Sequence, residues 1–107
     1  MARLISFWRL NLAVPTPEDP AQLLTMQEHY WAIMDGLIKK GEIEEFGFFP
    51  DACTGYVISK GETTDFFRNA FMFIPYVIND VHEIVPYEKG KEILRAVLKA
   101  QVAAMKK

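Results

Sequence analysis

From Arg3 to Ala13 the chain alternates. Leu4, Trp8, Leu10 and Leu12 fall on one side with Ser6, while Ile5 and Phe7 fall on the other with Arg9 and Asn11. A period of two marks a strand, here apolar on both faces in its first half. Pro15-Thr16-Pro17-Glu18-Asp19-Pro20 breaks the alternation and prepares a helix: Asp19 suits the N-cap, and Pro20 suits the first helical position, where its missing N–H costs nothing. Over 20–40 the apolar spacing changes to threes, fours and sevens, with Leu23, Tyr30, Trp31, Met34, Leu37 and Ile38 on one stripe. Lys39 and Lys40 complement the negative end of that helix, and Gly41 suits the left-handed residue beyond it. Strands are predicted at 42–49 and 54–59, joined as a hairpin by Pro50-Asp51-Ala52-Cys53. A shorter helix over 62–73 presents Phe66, Phe67, Ala70 and Phe71, and Pro75 ends it. The last strand, 77–86, carries Val77, Asn79, Val81, Glu83 and Val85 on one face and Ile78, Asp80, His82 and Ile84 on the other. A third helix over 90–106 places Leu94, Val97, Leu98, Val102 and Met105 on an inner stripe.

The order is βαββαβ followed by a helix. Right-handed crossovers fold such a chain into an α+β, ferredoxin-like domain spanning 1–107, a four-stranded antiparallel sheet with two helices on one face. The other face is bare in a monomer. Here it carries large apolar groups, and an uncovered patch of several hundred Å2 is rare on monomers. The pattern therefore predicts a homodimer, or a higher homo-oligomer, closed through sheet faces. The structural alternative is a third helix folded back over the bare face, although its single apolar stripe is too narrow to cover a whole sheet.

Composition narrows the classes. The 107 residues are 50% hydrophobic, with one cysteine and 12 basic against 14 acidic residues, a formal net charge of −2. That is too apolar and too nearly neutral for a disordered chain. Cys53 has no intrachain partner, which excludes a disulfide scaffold and a multi-cysteine zinc site. The absence of a basic surplus disfavours nucleic-acid binding. No unbroken apolar run resembles a secretory signal, and none approaches the ~18 residues of a membrane span. A cytoplasmic protein with a reduced thiol is the expectation, with no membrane partner.

In element order the chain resembles the dimeric α+β barrel superfamily, in particular small muconolactone isomerase-like and YciI-like proteins and related families of unknown function. The most local likeness is Phe73-Ile74-Pro75-Tyr76-Val77 followed by Val81-His82-Glu83-Ile84-Val85. The resemblance implies a dimer, or an assembly of dimers, with a ligand pocket beside the sheet. It does not imply the isomerase reaction, and the early histidine and arginine pattern of YciI-like proteins is absent.

Four residues are candidates for chemistry. His82, in mid-strand, titrates near neutrality and suits a general acid or base; Asp80, two positions earlier, shares its face, whereas Glu83 points the other way. Arg9, in a strand that is central in this fold, either holds a carboxylate ligand or pairs with Glu45, Asp80 or an acid of a second chain. Tyr56 is a candidate donor to a ligand carbonyl, as is Tyr76, with ordinary core or interface packing as the plainer role for both. His29 reads as a surface residue and Cys53 as an inert turn thiol, and neither a metal site nor a cofactor is indicated. All phenylalanines but Phe7 lie between Phe46 and Phe73, which suggests helix–hairpin packing or an apolar ligand cavity. The basic face of the third helix, Lys91, Arg95, Lys99, Lys106 and Lys107, suits either contact with an anionic membrane or, with fewer assumptions, a solvated surface. Two functions stand open: a small-molecule site beside the sheet, apolar or carboxylate-binding, whose chemistry in an enzyme would be isomerase-like proton transfer; or a non-catalytic binding or assembly module.

Overall fold

A computed structural model describes residues 2–106. The elements are β1 (Ala2–Leu10), α1 (Pro20–Lys39), β2 (Ile43–Phe48), β3 (Thr54–Gly61), α2 (Thr63–Phe71), β4 (Val77–Glu83) and α3 (Tyr87–Met105). The four-stranded sheet runs β2-β3-β1-β4 with every neighbouring pair antiparallel. This α+β arrangement is compatible with the ferredoxin-like fold, and it makes β1 a central strand.

Local chemistry explains several boundaries. Asp19 caps α1 by accepting the Ala21 N–H at 3.2 Å, with Pro20 beginning the helix. At the far end Gly41, at φ +81°, donates to the Ile38 carbonyl, and Glu42 donates to Leu37. That pair of bonds closes the helix as a Schellman motif, which needs a residue without a Cβ penalty in the left-handed region. In the hairpin turn one Asp51 oxygen accepts the N–H groups of Cys53 and Thr54 at 2.9 Å each and the Thr54 hydroxyl at 2.8 Å. β4 is shorter than its pattern predicts. Ile84 still donates to the Arg3 carbonyl at 2.8 Å, but Pro86, lacking an N–H, precedes α3.

Register assigns the faces. Leu4, Ser6 and Trp8 of β1 and Gly55, Val57 and Ser59 of β3 are buried toward the helices. Ile5, Phe7 and Arg9 therefore point to the open face, with Tyr56 and Ile58 of β3 and Ile78, Asp80 and His82 of β4. Phe7 is 44% exposed there.

The helices cover their face loosely. The buried apolar core is Leu4, Trp8, Met34, Leu37, Ile43 and Val57, in which Met34 and Leu37 of α1 cluster with Trp8, Ile43 and Val57 of the sheet. Of the stripes read from spacing, Met34 and Leu37 are buried, whereas Ile38, Phe67 and Phe71 are exposed. The inner stripe of the third helix requires correction. α3 begins at Tyr87, no residue of it is buried, and it neither folds back over the open face nor packs on the body. It extends the molecule to 72 × 29 × 23 Å. Lys107, counted with its basic face, lies outside the described residues.

Candidate functional site

Because α1 and α2 stand off the sheet, a cavity of about 530 Å3 lies between them and the strands. That size falls within the ~300–1,000 Å3 of small-molecule sites. Its walls are aromatic. At one end the Trp8 and Phe46 rings stack, with centroids 5.5 Å apart and planes 1° from parallel, and Phe48 meets both edge-on at 5.6 and 5.3 Å. At the other end Tyr30 packs on Phe73 at 5.7 Å and on Tyr76 at 5.6 Å. Trp31, Met34 and Leu37 of α1 and Phe66 and Ala70 of α2 complete the lining. Gly55 makes the tryptophan's position possible: a Cβ there would meet the Gly47 carbonyl oxygen and lie 2.5 Å from the Trp8 ring.

Polar side chains make up the smaller part of the lining, and Ser59 and Asn79 on the strand floor are neutral. Trp8 Nε1 and Ser59 Oγ are buried with no hydrogen-bond partner among the described residues. Orphaned groups of this kind cost roughly 1–3 kcal/mol each. Ser6 Oγ donates to Asn79 Oδ1 at 2.9 Å, and Asn69 is buried alongside. The charged lining residues are mostly engaged with one another or with neighbours. Glu42 accepts from Arg68 at 3.0 Å, Lys60 pairs with Glu44 at 2.9 Å, and Asp65 pairs with Arg68 at 3.4 Å and accepts the Glu62 N–H at 3.1 Å. Burial, and secondarily the neighbouring Tyr76, raise the Tyr30 hydroxyl above its ordinary pKa, so it remains a neutral donor well past physiological pH.

His82, Arg9 and Tyr56 all lie on the open face, across the sheet from this cavity. His82 pairs with Asp80, Nε2 to Oδ2 at 3.2 Å, as their shared face predicts, and its ring lies 6.3 Å from Phe7. Phe49 bridges Phe7 at 6.4 Å and Tyr56 at 6.0 Å. Tyr56 is pushed up in pKa first by desolvation and then by the Glu45 carboxylate. Arg9 is exposed and makes no ion pair among the described residues, so the central strand does not bury its charge. Of the candidates for chemistry Tyr76 lines the cavity, and so do Phe46, Phe48, Phe66 and Phe73 of the phenylalanine cluster. Ser59, Asn69, Asn79 and the Trp8 N–H were not singled out; the available signal was Ser6, a polar residue between Leu4 and Trp8 on an otherwise apolar face. His29 and Cys53 are exposed, and among the described residues no group of metal-ligating side chains converges. Nor is any helix long and apolar enough to cross a membrane.

No family model matches the chain, and no curated protein matches it.

Proposed function

We propose that this protein binds a small, uncharged, largely apolar molecule bearing a hydrogen-bond acceptor, held between the sheet and the two covering helices. The observation that carries the reading is the pairing of an aromatic-walled cavity of about 530 Å3 with two buried, unpartnered polar atoms, Trp8 Nε1 and Ser59 Oγ. Both residues line the cavity but the two atoms are themselves shielded, so a small side-chain shift opens the indole N–H to a ligand carbonyl, or the serine hydroxyl to a ligand hydroxyl or carbonyl, and removes that cost. Neutral groups over the floor favour binding of a neutral molecule over capture of a carboxylate. The likeness in element order to dimeric α+β barrel proteins belongs to the same proposal, with a second copy of the chain as partner.

The His82–Asp80 pair supports a second reading, in which the open face handles a carboxylate with Arg9 as anion holder, His82 as acid or base and Tyr56 as donor. One experiment separates the two. Thermal unfolding is followed with 2-acetonaphthone, neutral with a carbonyl, and with 2-naphthoate, the matched anion. The cavity reading expects the ketone to raise the melting temperature and quench tryptophan fluorescence, with Ser59→Ala weakening both effects and Arg9→Ala changing neither. Stabilisation by naphthoate that Arg9→Ala abolishes would overturn it in favour of the open face. No response to the ketone at saturation would also overturn it.

A further inference from the structure

The third helix has no place on its own subunit. A compact chain of this length has a radius of gyration near ~13 Å, whereas this one measures 19.4 Å. It exposes 8097 Å2 at 12.3 kDa, where a compact monomer of that mass exposes roughly 6,100 Å2. The excess is about 2,000 Å2 per chain, and a two-fold pair hiding it on both copies would remove about 4,000 Å2, inside the ~2,000–5,000 Å2 range of obligate homodimers. The exposed groups are the wrong ones for a solvated helix. Leu94 is 63% and Leu98 57% exposed, in line with Ile93 and Val97 on one stripe.

The body carries a matching surface. Between α2 and the edge strand β4 runs an open groove of about 520 Å3 lined by Phe67, Ala70, Ile74, Pro75, Val77 and Val81. Phe67, 73% exposed, stands on its rim. The link from β4 to α3 is only Ile84-Val85-Pro86, and Ile84 is still bonded to β1. At ~3.3–3.6 Å per residue it reaches about 10 Å, and no residue of α3 lines that groove on its own subunit. Short links that prevent an element from docking at home favour its exchange between copies.

We propose that α3 is an exchanged arm: in a homodimer each α3 lays its Leu94–Leu98 stripe into the α2–β4 groove of the second copy. The contact is isologous, and it is independent of what the cavity binds.

The test uses complementation. Light scattering and small-angle X-ray scattering are expected to show the wild type as a dimer at micromolar concentration. An arm variant, Leu94→Glu with Leu98→Glu, and a groove variant, Phe67→Glu, are each expected to be monomeric with helix content retained, because every altered side chain is exposed. Mixing the two monomers brings together one intact arm and one intact groove, and a heterodimer is expected to form. A wild-type monomer would overturn the proposal. So would a dimer that survives both variants, which would close through the open sheet face, or folded monomeric variants that fail to associate on mixing.

Discussion

Ser59→Ala separates the cost of an empty polar site from its use. Ser59 is 5% exposed, and its hydroxyl has no partner within the described chain. Leaving such a hydroxyl buried and unpaired costs roughly 1–3 kcal/mol, while removing one oxygen sacrifices little packing because the site borders a cavity. The variant is therefore expected to be more stable than the wild type by about 1 kcal/mol, a rise of about 4 °C in Tm for a domain of this size. The same change removes a ligand contact worth about 1 kcal/mol, so 2-acetonaphthone is expected to bind roughly fivefold more weakly. Urea and thermal unfolding by circular dichroism, with and without the ketone, read both effects on one pair of proteins. A destabilised variant would show that the hydroxyl is satisfied after all and refute the first step. An unchanged ligand-induced shift would refute the second.

Other substitutions test the frame around the site. Gly55→Ala forces a methyl group against the Trp8 ring and the Gly47 carbonyl; a loss of about 1–3 kcal/mol in urea unfolding is expected, together with altered tryptophan emission. Asp51 is held below its ordinary carboxyl pKa, chiefly by the Thr54 hydroxyl and then by the Cys53 N–H. Its contribution is present above the ordinary value of 3.8 and lost as pH falls through the lower folded value. Asp51→Ala should thus lower the urea midpoint at pH 6 and flatten its decline on acidification. Tyr30 is shifted the other way, so its contribution is complete below the ordinary value of 10.0 and lost as pH rises through the raised folded value. Tyr30→Phe is expected to shrink the alkaline loss of stability measured by the same midpoint.

The features legible in the sequence are those whose causes are local. The Asp19-Pro20 start and the Gly41 stop of α1 depend on neighbours in the chain, and the structure places both where their chemistry points. The alternation of β1 sorted its two faces correctly because one face is buried. The phenylalanine cluster left packing and an apolar cavity as alternatives, because a cavity arises from how far α1 and α2 stand from the sheet and spacing does not encode that distance. Its polar lining was obscured for the same reason: Ser59 and Asn79 sit at strand positions where a small polar residue looks unremarkable until a void is found beside it. His82, Arg9 and Tyr56 attracted interest as reactive residue types, and the register puts them together on the opposite face. For α3 the periodicity marks an apolar stripe, but the structure buries none of it, because periodicity does not encode whether a stripe reaches the body of its own chain.

The strand at the centre of the sheet leaves the protein little freedom to drift. Along β1, Leu4 and Trp8 line the cavity while Phe7 and Arg9 face the opposite surface, in strict alternation. Sliding β1 by one residue would drive a guanidinium into the apolar chamber and turn the indole out to water. Insertions or deletions within this strand should therefore be far more damaging than single replacements. A loop such as 12–18 is the place where length can change without exchanging the two sides of the molecule.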